Sequence, residues 1–262
     1  MLEITDDIGQ ELSFKQYPRR IISLVPSITA TFYDLQAEHL LVGRTKFCVY
    51  PTPKVHSLPI VGGTKDVHLD EIQALQPDLI ICNKEENTLD IFERLQQANI
   101  PVFINDAKSL QDNSQLLYQL GEITNRVQHA KEIDQKIITG LQSIKNIFPK
   151  GKALYLIWQN PYMSIGSDTF IHEMLNHIGF ENYMSKHQRY PMIELEDIKK
   201  EEPDYLLLST EPFPFQEKHV EFFKTHLNKT KISIVRGEYF SWYGSYLLGA
   251  EDYFKELRLS NF

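Results

Sequence analysis

Long apolar runs, basic excess, cysteine and familiar catalytic motifs are all scarce in this chain of 262 residues. No stretch of about 18 apolar residues occurs, the length a membrane-crossing helix needs. The formal net charge is −8. That is the wrong sign for gripping duplex phosphates, so nucleic acid is not expected as a partner. Cys48 and Cys82 are the only cysteines, too few for a disulfide framework. They read as two buried free thiols or as one bridge. Gly62-Gly63-Thr64-Lys65 lacks the glycine spacing of a phosphate-binding loop, and neither Gly-x-Ser-x-Gly nor His-Glu-x-x-His occurs. His56, His68, His172, His177, His187, His219 and His226 are scattered, and the step from His172 to His177 suits one helix face poorly. A direct metal-ion site is therefore the weaker alternative. No catalytic residue emerges, and an enzyme would have to rest on Asp, Glu and Tyr residues that no motif marks.

The start, Met1-Leu2-Glu3-Ile4-Thr5-Asp6-Asp7, has neither the basic opening nor the apolar run of a secretory leader. Two readings stay open: an intracellular chain, or one whose leader has been trimmed.

What is present is a hydrophobic fraction of 42%, ample for a packed core. Apolar β-type runs alternate with helical stretches. Ile21-Ile22-Ser23-Leu24-Val25 stops at Pro26, and Ser27 or Thr29 could cap a helix to about Leu35. Leu40-Leu41-Val42-Gly43, Leu79-Ile80-Ile81-Cys82 and Val102-Phe103-Ile104 follow, with a helix over 87–98 between the last two. Continuous apolar strands alternating with helices predict a parallel α/β lobe. Residues 112–147 contain no proline and carry Leu116, Leu120, Ile123, Val127, Ala130, Ile133, Ile137, Leu141 and Ile144. Steps of three and four predict one amphipathic helix of roughly 50 Å. The alternative is two helices broken near Gly140. A second α/β run then begins at Ala153, with Asp168 as cap of a helix over 169–178 closed by Gly179, strands at 205–208 and 232–235, and a last helix from about Tyr246 to Leu257. The expected layout is 1–111 for the first lobe, 112–149 for the backbone helix and 150–262 for the second lobe.

The two halves repeat a pattern. Leu69-Asp70-Glu71-Ile72 precedes Pro77-Asp78 and Leu79, and Leu195-Glu196-Asp197-Ile198 precedes Pro203-Asp204 and Tyr205, at a constant offset of 126 residues. A helix, a Pro-Asp turn and a buried strand therefore recur, once per lobe. Asp70 and Glu196 either complement the positive end of a helix dipole or form matched acidic knobs for a basic partner.

These residues carry a resemblance. The opening Ile4-Thr5-Asp6-Asp7-Ile8-Gly9 and Arg19-Arg20-Ile21-Ile22-Ser23-Leu24-Val25-Pro26-Ser27 look like the start of the helical-backbone periplasmic binding proteins. Those proteins serve importers of vitamin B12, haem and iron–siderophore complexes. The Pro-Asp repeat, the Gly62-Gly63 turn and the long middle helix are similar too. Val42-Gly43, Tyr50-Pro51 and the Asp70 and Glu196 positions resemble the B12-binding branch most. The resemblance implies two Rossmann-like lobes with parallel sheets joined by one long backbone helix. It implies a monomeric substrate-binding component of an ABC transporter, located in the periplasm or cell envelope. Such a component captures cobalamin or another corrinoid, haem or an iron-siderophore in an interlobe cleft and passes it to a permease. Asp70 and Glu196 would meet basic docking residues of that permease. No resident cofactor and no catalysis are implied. An intracellular corrinoid or haem carrier of the same fold is the alternative.

Ligands of parallel α/β sheets bind beyond the carboxyl ends of the strands. Those ends fall at 47–50, 64–65, 83–86, 158–162, 211–215 and 237–243, segments rich in aromatics. Tyr239-Phe240-Ser241-Trp242-Tyr243 is the densest and fits neither a strand nor a helix period. It reads as a loop for a flat, partly apolar ligand, or as a loop tucked into the core. The expected ligand-binding residues are Tyr50, Lys65, Trp158, Tyr162, Tyr190, Glu211, Tyr239, Phe240, Trp242 and Tyr243. In the B12 branch, positions matching Tyr50, Tyr190 and 239–242 contact ligand.

Overall fold

The computed structural model describes residues 1–261. The chain opens with an antiparallel hairpin, β1 (Leu2–Thr5) and β2 (Glu11–Phe14), which no earlier pattern signalled. The first α/β run follows: β3 (Ile21–Ser23), α1 (Pro26–Asp34), β4 (Leu41–Arg44), α2 (Leu69–Ala74), β5 (Leu79–Asn83), α3 (Leu89–Gln97) and β6 (Val102–Asn105). Its four strands form one parallel sheet in the order β4-β3-β5-β6. Every residue of β5 is buried, as a strand covered on both faces should be. Ile22, Leu24, Ile80, Cys82 and Val102 pack with Ile72, Ile91 and Leu95 from the covering helices.

The second run comprises β7 (Gly151–Leu156), α6 (Phe170–Ile178), β8 (Phe180–Asn182), α7 (Leu195–Lys200), β9 (Tyr205–Ser209), α8 (Glu217–Lys224), β10 (Lys231–Val235), the single turn α9 (Glu238–Ser241) and α10 (Ala250–Asn261). Its sheet is also parallel, in the order β10-β9-β7-β8. Leu154, Leu156, Leu206 and Leu208 pack against Ile198, Val220 and Phe223.

The Pro-Asp repeat has a structural explanation. Asp78 stands before β5, and its two carboxylate oxygens accept the backbone N–H groups of Arg19 (2.7 Å) and Arg20 (3.0 Å), at the entry to the neighbouring β3. Asp204 stands before β9, and its Oδ2 accepts the N–H of Lys152 at 2.7 Å in the neighbouring β7. Each aspartate pins the amino end of the adjacent strand, a charge-assisted bond of the stronger kind.

The stretch expected as one helix over 112–147 is two: α4 (Leu110–Ile123) and α5 (Val127–Ile144). The break lies at Asn125, not near Gly140. Asn125 is left-handed (φ 55°). Its N–H donates to Glu122 O at 3.2 Å, and the N–H of Arg126 donates to Gly121 O at 2.7 Å. This paired closure ends a helix, and asparagine tolerates the backbone it needs. Asn99 ends α3 by the same pair of bonds, to Gln96 O and Leu95 O.

Helix starts also differ from expectation. Pro26 occupies the first turn of α1 after Val25, while Ser27 and Thr29 are buried within the helix. Thr29 Oγ1 bonds back to Val25 O, and Thr31 Oγ1 to Ser27 O. Thr169, not Asp168, caps α6 by accepting the His172 N–H. Asp168 instead accepts the Arg189 N–H at 2.6 Å.

The chain divides into two compact units. One is Met1–Ala107, Gln111–Ile137 and Tyr243–Tyr246; the other is Lys108–Leu110, Ile138–Trp242 and Leu247–Phe262. The division falls inside α5, and Tyr243–Tyr246 belongs to the first unit. Gly244 N–H donates to Asn113 Oδ1 there, and Ser245 N–H to Thr31 Oγ1 at 3.0 Å. Among the described residues no helix is long and apolar enough to cross a membrane.

Candidate functional site

In the first unit the segments beyond β4 and β5 are held by buried polar groups. Arg44, the last residue of β4, is 5% exposed. Its Nε donates to Val55 O at 2.9 Å, and its Nη1 to Thr45 O at 3.1 Å and Cys48 O at 3.0 Å. One guanidinium thus fastens both ends of the 45–55 loop, with no carboxylate among these partners. On that loop Phe47 and Val49 stand exposed, and half-buried Tyr50 faces Tyr246 with ring centroids 6.1 Å apart. Beyond β5, Asn83 Oδ1 accepts the N–H groups of Glu85 and Glu86, and Asn87 Nδ2 donates to Thr64 O at 2.8 Å. These bonds fix 83–87 beside 64–65, and Lys65 itself is exposed. Cys48 and Cys82 are free and buried, which removes the single-bridge alternative. Burial pushes the Cys82 thiol up to about 12.

In the second unit, Trp158 lies just past β7 and is 40% exposed. Its ring meets Phe213 edge-on at 5.8 Å. Backbone bridges link Trp158 to Met163 and Met163 to Met192, which is 66% exposed. Tyr190 is half-buried with the Arg189 guanidinium over its ring. Glu211 follows β9. Its Oε1 accepts the Ser241 hydroxyl at 2.8 Å, and the Trp242 side chain bonds to the same carboxyl. Burial, then the charge of Glu238, pushes the Glu211 carboxyl up to about 7, against the opposing pull of these hydrogen bonds.

Several expected ligand contacts are corrected. The segment 239–243 is not a free loop: its first three residues complete the single turn of α9. Phe240 is fully buried between Tyr155 (5.1 Å) and Phe254 (5.0 Å), so it is a core residue. Tyr243 is 5% exposed and belongs to the first unit, whereas 239–242 belong to the second. Tyr239 stacks on Tyr253 at 4.2 Å with the Arg236 guanidinium 4.8 Å from its centre, which leaves little free ring face. Tyr162 leans on Phe223 of α8 at 5.4 Å. Trp158, Tyr190, Glu211 and Trp242 remain on the strand-end side of the second unit, and Tyr50 and Lys65 on that of the first. Phe47, Met192 and Phe213 extend these surfaces. Sequence reasoning included Phe47 and Phe213 in its strand-end segments without selecting them, and it passed over Met192, because an apolar side chain in a loop carries no periodicity.

Asp70 and Glu196 occupy equivalent positions in the first turns of α2 and α7, both exposed. Each helix buries its isoleucine, Ile72 or Ile198, so the carboxylate points away from the core. Glu196 is ion-paired to Lys199 at 2.8 Å. His172 and His177 are occupied by Asn176, Asn182 and the Leu141 carbonyl. Among the described residues no group of three His, Cys, Asp or Glu side chains could hold a metal ion.

The chain is 29% identical over 217 residues to an uncharacterized ABC transporter substrate-binding lipoprotein of Bacillus subtilis, covering 78% of this chain and 68% of that protein. It is 26% identical over 194 residues to a vitamin B12-binding protein of Vibrio parahaemolyticus, covering 72% and 70%. A periplasmic haem-binding protein from Pseudomonas aeruginosa has the same fold, with a TM-score of 0.77 at 19% identity over 94% of each chain. The signature of one family matches residues 21–232, well over half of the sequence: the chain belongs to the periplasmic binding protein family.

Proposed function

We propose that this chain is the substrate-binding component of an ABC importer that captures a metal-chelate ligand (a corrinoid, haem or a ferric siderophore) and hands it unchanged to the permease. The observation that carries this reading is the gathering of exposed and half-buried aromatic side chains at the carboxyl ends of parallel strands, in a chain of this family. Phe47 at 51% and Trp158 at 40% are the most exposed of them. Flat aromatic surfaces with few directed polar groups suit a large, partly apolar ligand. Of the expected ligand-binding residues, Tyr50 and Lys65 belong to the first unit, and Trp158, Tyr190, Glu211 and Trp242 to the second. Asp70 and Glu196 dock onto basic residues of the permease. The chain works as a monomer in the cell envelope, without resident cofactor or catalysis.

Replacing Trp242 or Trp158 tests this. Full burial of a large apolar side chain is worth about 1.5–3 kcal/mol. Trp242→Ala is expected to weaken capture of the cognate chelate at least tenfold in calorimetric titration. Trp158→Ala is expected to weaken it less, because Trp242 also ties down Ser241 and Glu211. Unchanged affinity in the folded Trp242 variant would return that residue to a packing role.

A further inference from the structure

The five methionines of the chain differ widely in access. Met174 and Met184 are buried, Met163 is half-buried, and Met1 is exposed at the first residue. Met192 is 66% exposed. Its outward position follows from the backbone. Ser164 N–H donates to Pro191 O at 2.9 Å, and Ile193 N–H donates to Tyr162 O at 3.1 Å. These bonds flank Met163 and Met192, which are directly opposed in a narrow antiparallel pair, with Cβ atoms roughly 4.5–5.5 Å apart. Ile193 is buried in the core of the second unit and Tyr162 packs against that core, so by alternation Met163 and Met192 share the outer face. On the other side of Met163, Ile157 N–H donates to Met163 O at 2.9 Å and Met163 N–H donates to Trp158 O at 3.2 Å, which sets Trp158 opposite Met163. Trp158, Met163 and Met192 thus form one row across three backbone segments, with a thioether at its exposed end.

A thioether sulfur is a soft nucleophile, and its oxidation turns an apolar side chain into a polar one. In that reaction a sulfur lone pair attacks one oxygen of a hydroperoxide. The S–O bond forms as the O–O bond breaks, and the sulfur gives up two electrons. The proton of the transferred oxygen passes to the departing one, which leaves as water or an alcohol. Access decides which sulfur reacts. Cys48 and Cys82 are both buried, so no exposed thiol competes. We propose that Met192 is an oxidation site within the ligand surface: a hydroperoxide converts it to the sulfoxide, and the sulfoxide weakens capture of the ligand. The inference rests on the strand-end reading of the ligand site. A sulfoxide oxygen covered by a flat apolar ligand is an acceptor taken from water with no donor in return, and that desolvation opposes binding. Leucine keeps the bulk and apolarity of methionine and offers no sulfur to oxidise.

Hydrogen peroxide in metal-free buffer tests this on the native chain. Peptide mass mapping should find Met192 oxidised ahead of Met163, and Met174 and Met184 last, with Met1 as the freely accessible reference. After removal of the peroxide, affinity is measured by equilibrium dialysis against cyanocobalamin, dicyanocobinamide, haem and a ferric hydroxamate siderophore. For the chelate that the untreated chain retains, oxidation should weaken binding by roughly fivefold or more. Met192→Leu should bind that chelate as the native chain does and keep its affinity after the same treatment. An equal loss in Met192→Leu, or no loss in a native chain whose Met192 is fully oxidised, overturns the proposal. So does oxidation of Met192 no faster than that of buried Met174. If the untreated chain retains none of the chelates, the ligand reading fails on its own account. The order of oxidation then decides the site: Met192 ahead of Met163 supports it, and any other order overturns it.

Discussion

Arg44→Met is expected to lower the unfolding free energy by about 3 kcal/mol. The guanidinium is buried and serves the carbonyls of Val55, Thr45 and Cys48. Each orphaned buried acceptor costs about 1–3 kcal/mol, and relief from burying a cation offsets part of the sum. Methionine fills the space and offers no donor. Arg44→Lys should recover less than half of the loss, because a single ammonium cannot span three carbonyls on two stretches of chain. Urea denaturation followed by circular dichroism checks the magnitude. Limited proteolysis checks the locus, since cleavage should appear within 45–58 before the sheet melts. A loss below about 1 kcal/mol would mean that the loop holds its shape without the arginine. The same loop carries Tyr50, so the variant is also expected to weaken ligand capture.

Reversing both acidic knobs should act on transport alone. Asp70→Lys with Glu196→Lys is expected to abolish stimulation of the reconstituted permease while ligand affinity stays within about twofold. The structural cost is small. A charge at the first turn of a helix is worth about 0.3–1 kcal/mol, and the exposed Glu196–Lys199 pair, three residues apart on one helix, contributes about 0.2–0.5 kcal/mol. Both are minor beside the 5–15 kcal/mol of a typical domain. A purely dipole-complementing role predicts the same small stability loss with normal transport. If the double variant drives its permease as well as the parent, docking is excluded.

Much of the architecture was legible because it rests on burial. Leu79-Ile80-Ile81 and Leu206-Leu207-Leu208 read as strands covered on both faces, and both are fully buried centre strands of parallel sheets. The repeat at constant offset foretold two like lobes, although the role of its aspartates became clear only once β3 and β7 lay beside them. The middle helix misled because its apolar period continues across the break: Ile123 and Val127 keep step through Asn125. An asparagine in the left-handed conformation was the signal to weigh, and glycine was weighed instead. At the candidate site, strand-end reasoning named segments that do follow strands, but aromatic density alone did not separate half-buried Trp242 from fully buried Phe240. Within one helical turn successive side chains point to different sides, so one faces the core and its neighbour does not.

The central claim is capture without chemistry. Equilibrium dialysis of the pure chain against cyanocobalamin, dicyanocobinamide, haem and a ferric hydroxamate siderophore, followed by chromatographic analysis of the released ligand, tests it most directly. The expected result is one of these chelates held one to one, with Kd of about 1 μM or tighter, and recovered unaltered. Retention of none of them, or recovery of a converted product, would contradict the account.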